Sequence, residues 1–137
     1  MRQAGCTLAL IALVLGLTSA PAFAERNLVP THERSFDVCP DRLAEPKWMQ
    51  ETPLRQAYQR VLVQEIYRAH NLERIVETES CDCEIRFPSW DAAESEFHEQ
   101  HASDERWKML EASDAYNQRA NDVRLEAKAI CETARNW

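Results

Sequence analysis

The chain contains no glycine after residue 16, and this absence restricts the folds that are open to it. Both glycines, Gly5 and Gly16, lie in the N-terminal segment, and no proline follows Pro88. Tight turns of types I′, II and II′ need a positive φ angle, which glycine adopts at the least cost. A sheet-rich fold is therefore disfavoured, and the last forty-nine residues lack both types of helix breaker. We predict an all-α protein.

Residues 1–24 have the three parts of a secretory signal peptide. Arg2 gives a positive start, residues 7–17 form a largely apolar run, and residues 22–24 (Ala-Phe-Ala) provide the small side chains of a cleavage site. The apolar run is shorter than the roughly 18 residues that cross a bilayer. We therefore expect cleavage after residue 24, export to the periplasm or the extracellular space, and no membrane span in the mature chain.

The predicted mature chain, residues 25–137, is acidic. Sixteen basic residues less Arg2 stand against twenty-three acidic ones, which gives a net charge of −8. Such a surface repels nucleic acid and anionic lipid headgroups, so we expect neither as a partner. The length is sufficient for one domain with a modest core.

Apolar spacing predicts three long helices after an irregular arm. Residues 25–51 have prolines and mixed charges without a period, which is typical of an arm, and residues 52–137 form the helical domain. The first helical stretch, residues 53–79, is one bent helix or two. The second begins at Ser89 and ends near residue 101, and the third begins after a cap at Ser103 and runs almost to residue 137.

We expect these helices to pack antiparallel as a small bundle. Trp48 and Met49 are placed to dock the arm onto it. The predicted core of the bundle consists of Leu54, Tyr58, Val61, Leu62, Ile66, Trp90, Phe97, Trp107, Leu110, Val123 and Ile130.

Four cysteines follow residue 24: Cys39 in the arm, Cys81 and Cys83 in a connection between helices, and Cys131 near the end of the last helix. An exported chain meets an oxidising compartment, where an even number of cysteines is typical of disulfides. A bond between Cys81 and Cys83 would close a very small, strained ring. We therefore predict that one of them pairs with Cys39 and the other with Cys131. The sequence leaves open which takes which partner.

A metal site is the alternative hypothesis for two of these cysteines. His98 and His101 are three residues apart on a predicted helix and so share a face. With Cys81 and Cys83 they form a C-x-C plus H-x2-H set, whose two thiolates and two imidazoles suit zinc or copper. Thiolates are poor ligands where oxidation is driven, however, and the charged residues around the histidines favour a solvated face.

A reactive Cys81–Cys83 redox pair is a third hypothesis. The neighbouring acids Asp82 and Glu84 would disfavour the thiolate that such a pair needs. The chain also lacks the alternating strand and helix pattern of thioredoxin-like proteins. This hypothesis is the weakest of the three.

The function predicted from the sequence is protein binding. No haem-attachment, nucleophile-elbow, zinc-protease or phosphate-loop motif is present in the sequence. We expect a non-enzymatic exported protein that serves as an accessory or interaction subunit of a cell-envelope assembly, such as a secretion or conjugation system, without a cofactor. Trp137 is a candidate contact for an envelope partner, although a docked terminus held near Cys131 is the simpler interpretation. The alternative function is a periplasmic protein that binds zinc or copper.

Overall fold

The computed structural model describes residues 39–137, so the predicted signal peptide and residues 25–38 of the predicted arm lie outside the described residues. Within this range the chain is helical and has no β-strand, which confirms the all-α prediction. No helix of the described part is long and apolar enough to cross a membrane. The helical elements are α1 (Lys47–Gln50), a 3₁₀ turn (Leu54–Gln56), α2 (Ala57–Thr78), α3 (Cys83–Arg86), α4 (Asp91–Glu96), a π-helical segment (Phe97–His101) that continues α4, and α5 (Arg106–Thr133).

Helices α2 and α5 run parallel and form the scaffold. Near their first turns the Arg106 guanidinium lies 5.6 Å from the centre of the Tyr58 ring. Midway along, Nη2 of Arg68 donates to Oδ1 of Asn121 at 2.7 Å. Residue numbers thus increase in the same direction along both helices, and the two pack directly on each other.

The segment between the scaffold helices returns the chain to the end from which α5 starts. Tyr67 of α2 stacks on Trp90 at 3.8 Å between ring centres, whereas His101 lies beside Tyr116, early in α5. The segment with α4 therefore packs against the middle of α2 and the first half of α5. The middle helix lies within one or two residues of its predicted bounds, because α4 and its π-helical continuation together span residues 91–101.

Small residues on α5 allow close contact with α2. The fully buried Ala120 and Ala127 occupy the same stripe as Ser113, which is 6% exposed. The Ser113 hydroxyl donates to the Met109 carbonyl oxygen at 2.9 Å, so its burial leaves no unpaired group. The buried stripe of α5 consists of Met109, Ser113, Tyr116, Ala120, Ala127 and Cys131.

Two clusters of buried side chains make up the core. The smaller one joins the last turns of α2 and α5 and contains Ile75, Cys81, Ala127 and Cys131. The larger one lies under the arm and α4 and contains Met49, Leu62, Val63, Ile66, Ala69, Ala93, Phe97, Met109, Tyr116 and Ala120.

Three of the predicted core residues are exposed, and their prediction was wrong. Leu54 is 91%, Trp107 68% and Val61 43% exposed. On α5 the apolar residues at 107 and 110 suggested a stripe displaced from the one that is buried, which includes a serine and two alanines. Among the other predicted core residues, Leu62, Ile66 and Phe97 are buried, and the half-buried ones are Tyr58, Trp90, Leu110, Val123 and Ile130.

Several helix boundaries differ from the predicted ones. Residues 53–79 contain a 3₁₀ turn followed by the single helix α2. Helix α5 begins at Arg106 after Glu105, so Ser103 does not cap it as predicted. The connection after Cys81 is not fully extended, because α3 forms one helical turn within it.

The described part of the arm docks where the sequence indicated. The Trp48 ring stacks on Phe97 with 5.7 Å between the ring centres, and its indole N–H donates to Oε1 of Glu94 at 2.6 Å. Met49 is fully buried. The predicted arm contains the helical turn α1 at Lys47–Gln50.

Candidate functional site

Two disulfides converge on the connection between α2 and α4. Cys39 is bonded to Cys83 and Cys81 to Cys131, which settles the pairing that the sequence left open. Asn136, only 6% exposed, donates through its backbone N–H to the Cys131 carbonyl oxygen at 2.8 Å and through its side-chain amide to the Cys81 carbonyl oxygen. The chain beyond α5 is thus held against the same connection.

The structure separates the four residues of the predicted metal site into two environments. Cys81 and Cys83 belong to the disulfide junction, and neither sulfur is a free thiolate there. The exposed His98 ring lies 5.9 Å from Trp48, whereas Nδ1 of His101 lies 3.1 Å from Oδ2 of Asp104.

Metal binding remains a prediction. Among residues 39–137, no group of three or more His, Cys, Asp and Glu side chains is placed to hold a metal ion. Two thiolate ligands would become available only in a chain whose disulfides are reduced. Uptake of zinc or copper by the reduced protein, lost in the His98→Ala/His101→Ala variant, is the observation that this hypothesis requires.

A chain of polar side chains links α2, α4 and α5, and sequence reasoning did not find it. Nε2 of His70 lies 2.7 Å from Oε2 of Glu96, and the Tyr116 hydroxyl donates to the other oxygen of the same carboxylate. Nε2 of His101 lies 3.5 Å from the Tyr116 oxygen and its Nδ1 binds Asp104. These groups are far apart in the sequence and follow no period, so no local signal could have joined them.

The side chains of the polar chain pair with one another, so its role is to hold the helices together. Burial, and then the hydrogen bond to the Glu96 carboxylate, raise the pKa of Tyr116 to about 12. Beside it, Arg119 binds both oxygens of Glu73 at 2.9 and 2.8 Å. A partly buried network of this kind favours one arrangement of the helices, because its more buried members, such as Tyr116, would be costly to leave unpaired.

Three large apolar side chains are exposed near the end of the molecule where α2 and α5 begin. We define the exposed apolar patch by Leu54, Val61 and Trp107, which are the large apolar side chains exposed at this end. Leu54, Tyr58 and Val61 recur at helical spacing, and the contact between Tyr58 and Arg106 joins that row to the first turn of α5. The apolar pattern of the sequence predicted all three patch residues to be buried in the core, but the structure leaves them exposed to solvent.

Trp137, the predicted partner contact, lies at the opposite end. Its ring is 44% exposed and the Arg86 guanidinium lies 5.2 Å from its centre. The ring also lines an open cavity of about 290 Å³ between α2 and α3. A role for Trp137 in binding an envelope protein stays a prediction.

No protein-family model matches the chain, and no curated protein or solved structure is similar to it. The fold and the surfaces described above are therefore the basis on which its function is inferred.

Proposed function

We propose that the chain is a non-enzymatic exported protein that binds another protein of the cell envelope, as an accessory or interaction subunit of an assembly such as a secretion or conjugation system. The exposed apolar patch is the observation that carries this proposal. Trp107 is 68% and Leu54 91% exposed, so most of their apolar surface remains to be buried. Tryptophan is enriched among the residues that dominate the binding energy of protein interfaces.

The two disulfides support an oxidising compartment as the location of the protein. Bonds such as Cys39–Cys83 and Cys81–Cys131 form and persist in oxidising compartments, and the signal-peptide pattern of residues 1–24 is consistent with export to one. The periplasm or the extracellular space is therefore the compartment in which we expect the partner.

The negative charge of the chain restricts the kind of contact surface that a partner can present. A net charge of −7 for the full sequence favours a partner whose contact surface is apolar at its centre and surrounded by basic residues. Opposite charge accelerates association, and the apolar contact provides most of the affinity.

Two exposed residues of α5 provide a matched test. Trp107 belongs to the patch, whereas Leu125 is 76% exposed on the same helix but near its other end. A photo-crosslinker at position 107 captures the partner from an envelope fraction, and the purified partner is then titrated with each variant. We expect Trp107→Ala to weaken binding by at least about thirtyfold, as for an interface hot spot. Leu125→Ala should change it by less than about twofold.

Three results would contradict the proposal. The first is equal loss of affinity in Leu125→Ala, and the second is unchanged affinity in Trp107→Ala. The third is self-association in sedimentation experiments that Trp107→Ala abolishes, because the patch would then join two copies of this chain. Both side chains are exposed, so neither substitution should lower the thermal midpoint, and circular dichroism checks this.

A further inference from the structure

The open cavity beside Trp137 has a charge opposite to that of the protein. Among residues 39–137, its lining includes Arg68, Arg86 and Arg124 and no aspartate or glutamate. The full chain has a net charge of −7, so three arginines around one cavity are a local reversal of the overall charge. Clusters of this kind in a concave site are typical of anion recognition, because guanidinium groups bind carboxylates with two parallel hydrogen bonds.

The arginines are only partly neutralised by the protein. Nη1 of Arg68 lies 3.3 Å from a carboxylate oxygen of Glu65. Arg86 donates to the backbone and side-chain oxygens of Asn136, both of which are uncharged. Arg124 is exposed and makes no ion pair with any residue that the structure describes. Burial, and then the nearby charge of Arg42, lowers the pKa of Arg86.

Apart from Asn71, the remainder of the lining is apolar and aromatic. Tyr67, Phe87 and Trp137 form the walls, and Leu72 and Ile75 of α2 complete the lining. The volume of about 290 Å³ is at the lower limit of ligand pockets, which are roughly 300–1,000 Å³. The cavity therefore suits a ligand of the size of a single amino-acid residue with an apolar side chain.

Asn71 adds a specific requirement. It is 7% exposed, lines the same cavity, and its Oδ1 atom has no hydrogen-bond partner among the described residues. Asn71 lines the cavity together with Tyr67, whose hydroxyl donates to the Pro88 carbonyl oxygen at 2.9 Å rather than to Asn71. The side-chain carbonyl oxygen of Asn71 is thus left as a buried acceptor, which a ligand N–H group would satisfy.

We infer that this cavity binds a carboxylate that carries an apolar side chain and an adjacent amide N–H, the chemistry shared by an N-acylated amino acid and by the C-terminal residue of a peptide. The arginines bind the carboxylate, the aromatic walls contact the side chain, and Asn71 accepts the N–H. This site is separate from the exposed apolar patch, so it stands whether or not the proposed function is correct.

Three small probes separate these contributions in titrations followed by NMR of the tryptophan indole and arginine side-chain N–H signals. N-acetylleucine has all three features, N-acetylleucinamide lacks the charge, and 4-methylpentanoate lacks the N–H. We expect N-acetylleucine to shift the Trp137 and Arg86 signals and the neutral amide to bind at least about tenfold more weakly. 4-Methylpentanoate should bind about threefold to tenfold more weakly than N-acetylleucine.

A matched pair of variants tests the arginines without disturbing the core. Arg124 and Arg74 are both exposed helical residues, and only Arg124 lines this cavity. Arg124→Gln should weaken the binding of N-acetylleucine by about tenfold, and Arg74→Gln, with the same change of charge, by less than about twofold. Equal effects of the two variants would overturn the inference, because they would show a response to net charge alone.

The remaining outcomes are equally decisive. Absence of any shift with N-acetylleucine at millimolar concentration, or equal binding of the neutral amide, overturns the inference. Equal binding of 4-methylpentanoate overturns the role of Asn71. A short peptide that ends in leucine, as free acid and as amide, then distinguishes the sources. Tighter binding of the free-acid peptide than of N-acetylleucine assigns the site to a peptide C terminus, and weaker binding assigns it to a free acylated amino acid.

Discussion

Tyr116 lies where α4 and α5 meet, is 7% exposed, and donates its hydroxyl hydrogen to Glu96. Burial and then the Glu96 carboxylate raise its pKa to about 12, whereas tyrosine in an unfolded chain has a pKa of about 10. The folded state therefore holds this proton more tightly than the unfolded state does. Stability from this source is fully present below about pH 10 and is lost as the pH rises through about 12.

Replacement of Tyr116 should make the free energy of unfolding fall less steeply as the pH rises above about 9.5. Between about pH 9.5 and 12.5, we expect wild type to lose on the order of 2 kcal/mol more than Tyr116→Phe, because about 1.4 kcal/mol corresponds to one pKa unit. Urea unfolding at a series of pH values measures this. Tyr58→Phe, which removes a hydroxyl at a half-buried position of α2, is the control. If the free energy of unfolding falls equally with pH in wild type and in Tyr116→Phe, folding does not raise the pKa of Tyr116.

The helix ends show how residues 39–137, which include no glycine, make their turns. Glu79 ends α2 with a φ angle of 51°, and Arg135 follows α5 with a φ angle of 56°. Both are in the left-handed region, which costs a residue with a Cβ atom roughly 1 kcal/mol. The described residues form no β-strand, in agreement with the all-α prediction, but the structure still needs positive φ angles at its helix ends and places charged, exposed residues there.

A glycine introduced at the end of α2 should therefore stabilise the protein. We expect Glu79→Gly to raise the free energy of unfolding by up to about 1 kcal/mol, since it removes the steric cost of the left-handed conformation. Glu77→Gly removes the same charge within α2 and should lower the free energy of unfolding by about 0.5–1 kcal/mol. Chemical denaturation of both variants measures the difference. Destabilisation by Glu79→Gly equal to that of Glu77→Gly would show that residue 79 is not strained.

How well a helix could be predicted depended on how apolar its buried face is. On α2 the buried residues Leu62 and Ile66 belong to a clear apolar stripe, and the sequence placed them correctly. On α5 the buried positions 113, 120 and 127 are a serine and two alanines. The sequence therefore placed the larger and more apolar Trp107 in the core instead. Hydrophobicity identifies large buried side chains but not the small ones that allow two helices to approach. The cavity and the polar chain escaped prediction because each joins residues from several elements.

At the scale of the whole molecule, the two disulfides overlap in sequence. The bond Cys39–Cys83 closes 44 residues and Cys81–Cys131 closes 50, and each loop begins or ends within the other. The arm, the connection after α2 and the end of α5 are consequently tied at one place. The two long parallel helices are thus joined covalently at one end only, and the exposed apolar patch is at the other end.

Removal of either bond should be costly, and the two costs should differ. The loop-entropy relation assigns about 4 kcal/mol to loops of 44 and 50 residues. We expect Cys39→Ser/Cys83→Ser to lower the free energy of unfolding by about 2–4 kcal/mol. Cys81→Ser/Cys131→Ser should cost more, because Cys81 and Cys131 are buried in the smaller core cluster and serine hydroxyls would lie there in place of sulfur.

Urea unfolding of the two double variants and of wild type, with and without reductant, measures these costs. Intact mass provides the control for the covalent state, since the oxidised chain is about 4 Da lighter than the reduced one. A double variant within about 1 kcal/mol of wild type would show that its bond does not constrain the unfolded chain. If instead Cys39→Ser/Cys83→Ser is the more damaging change, the junction is held mainly through the arm. The end of α5 would then depend less on Cys131 than on Asn136 and its hydrogen bonds.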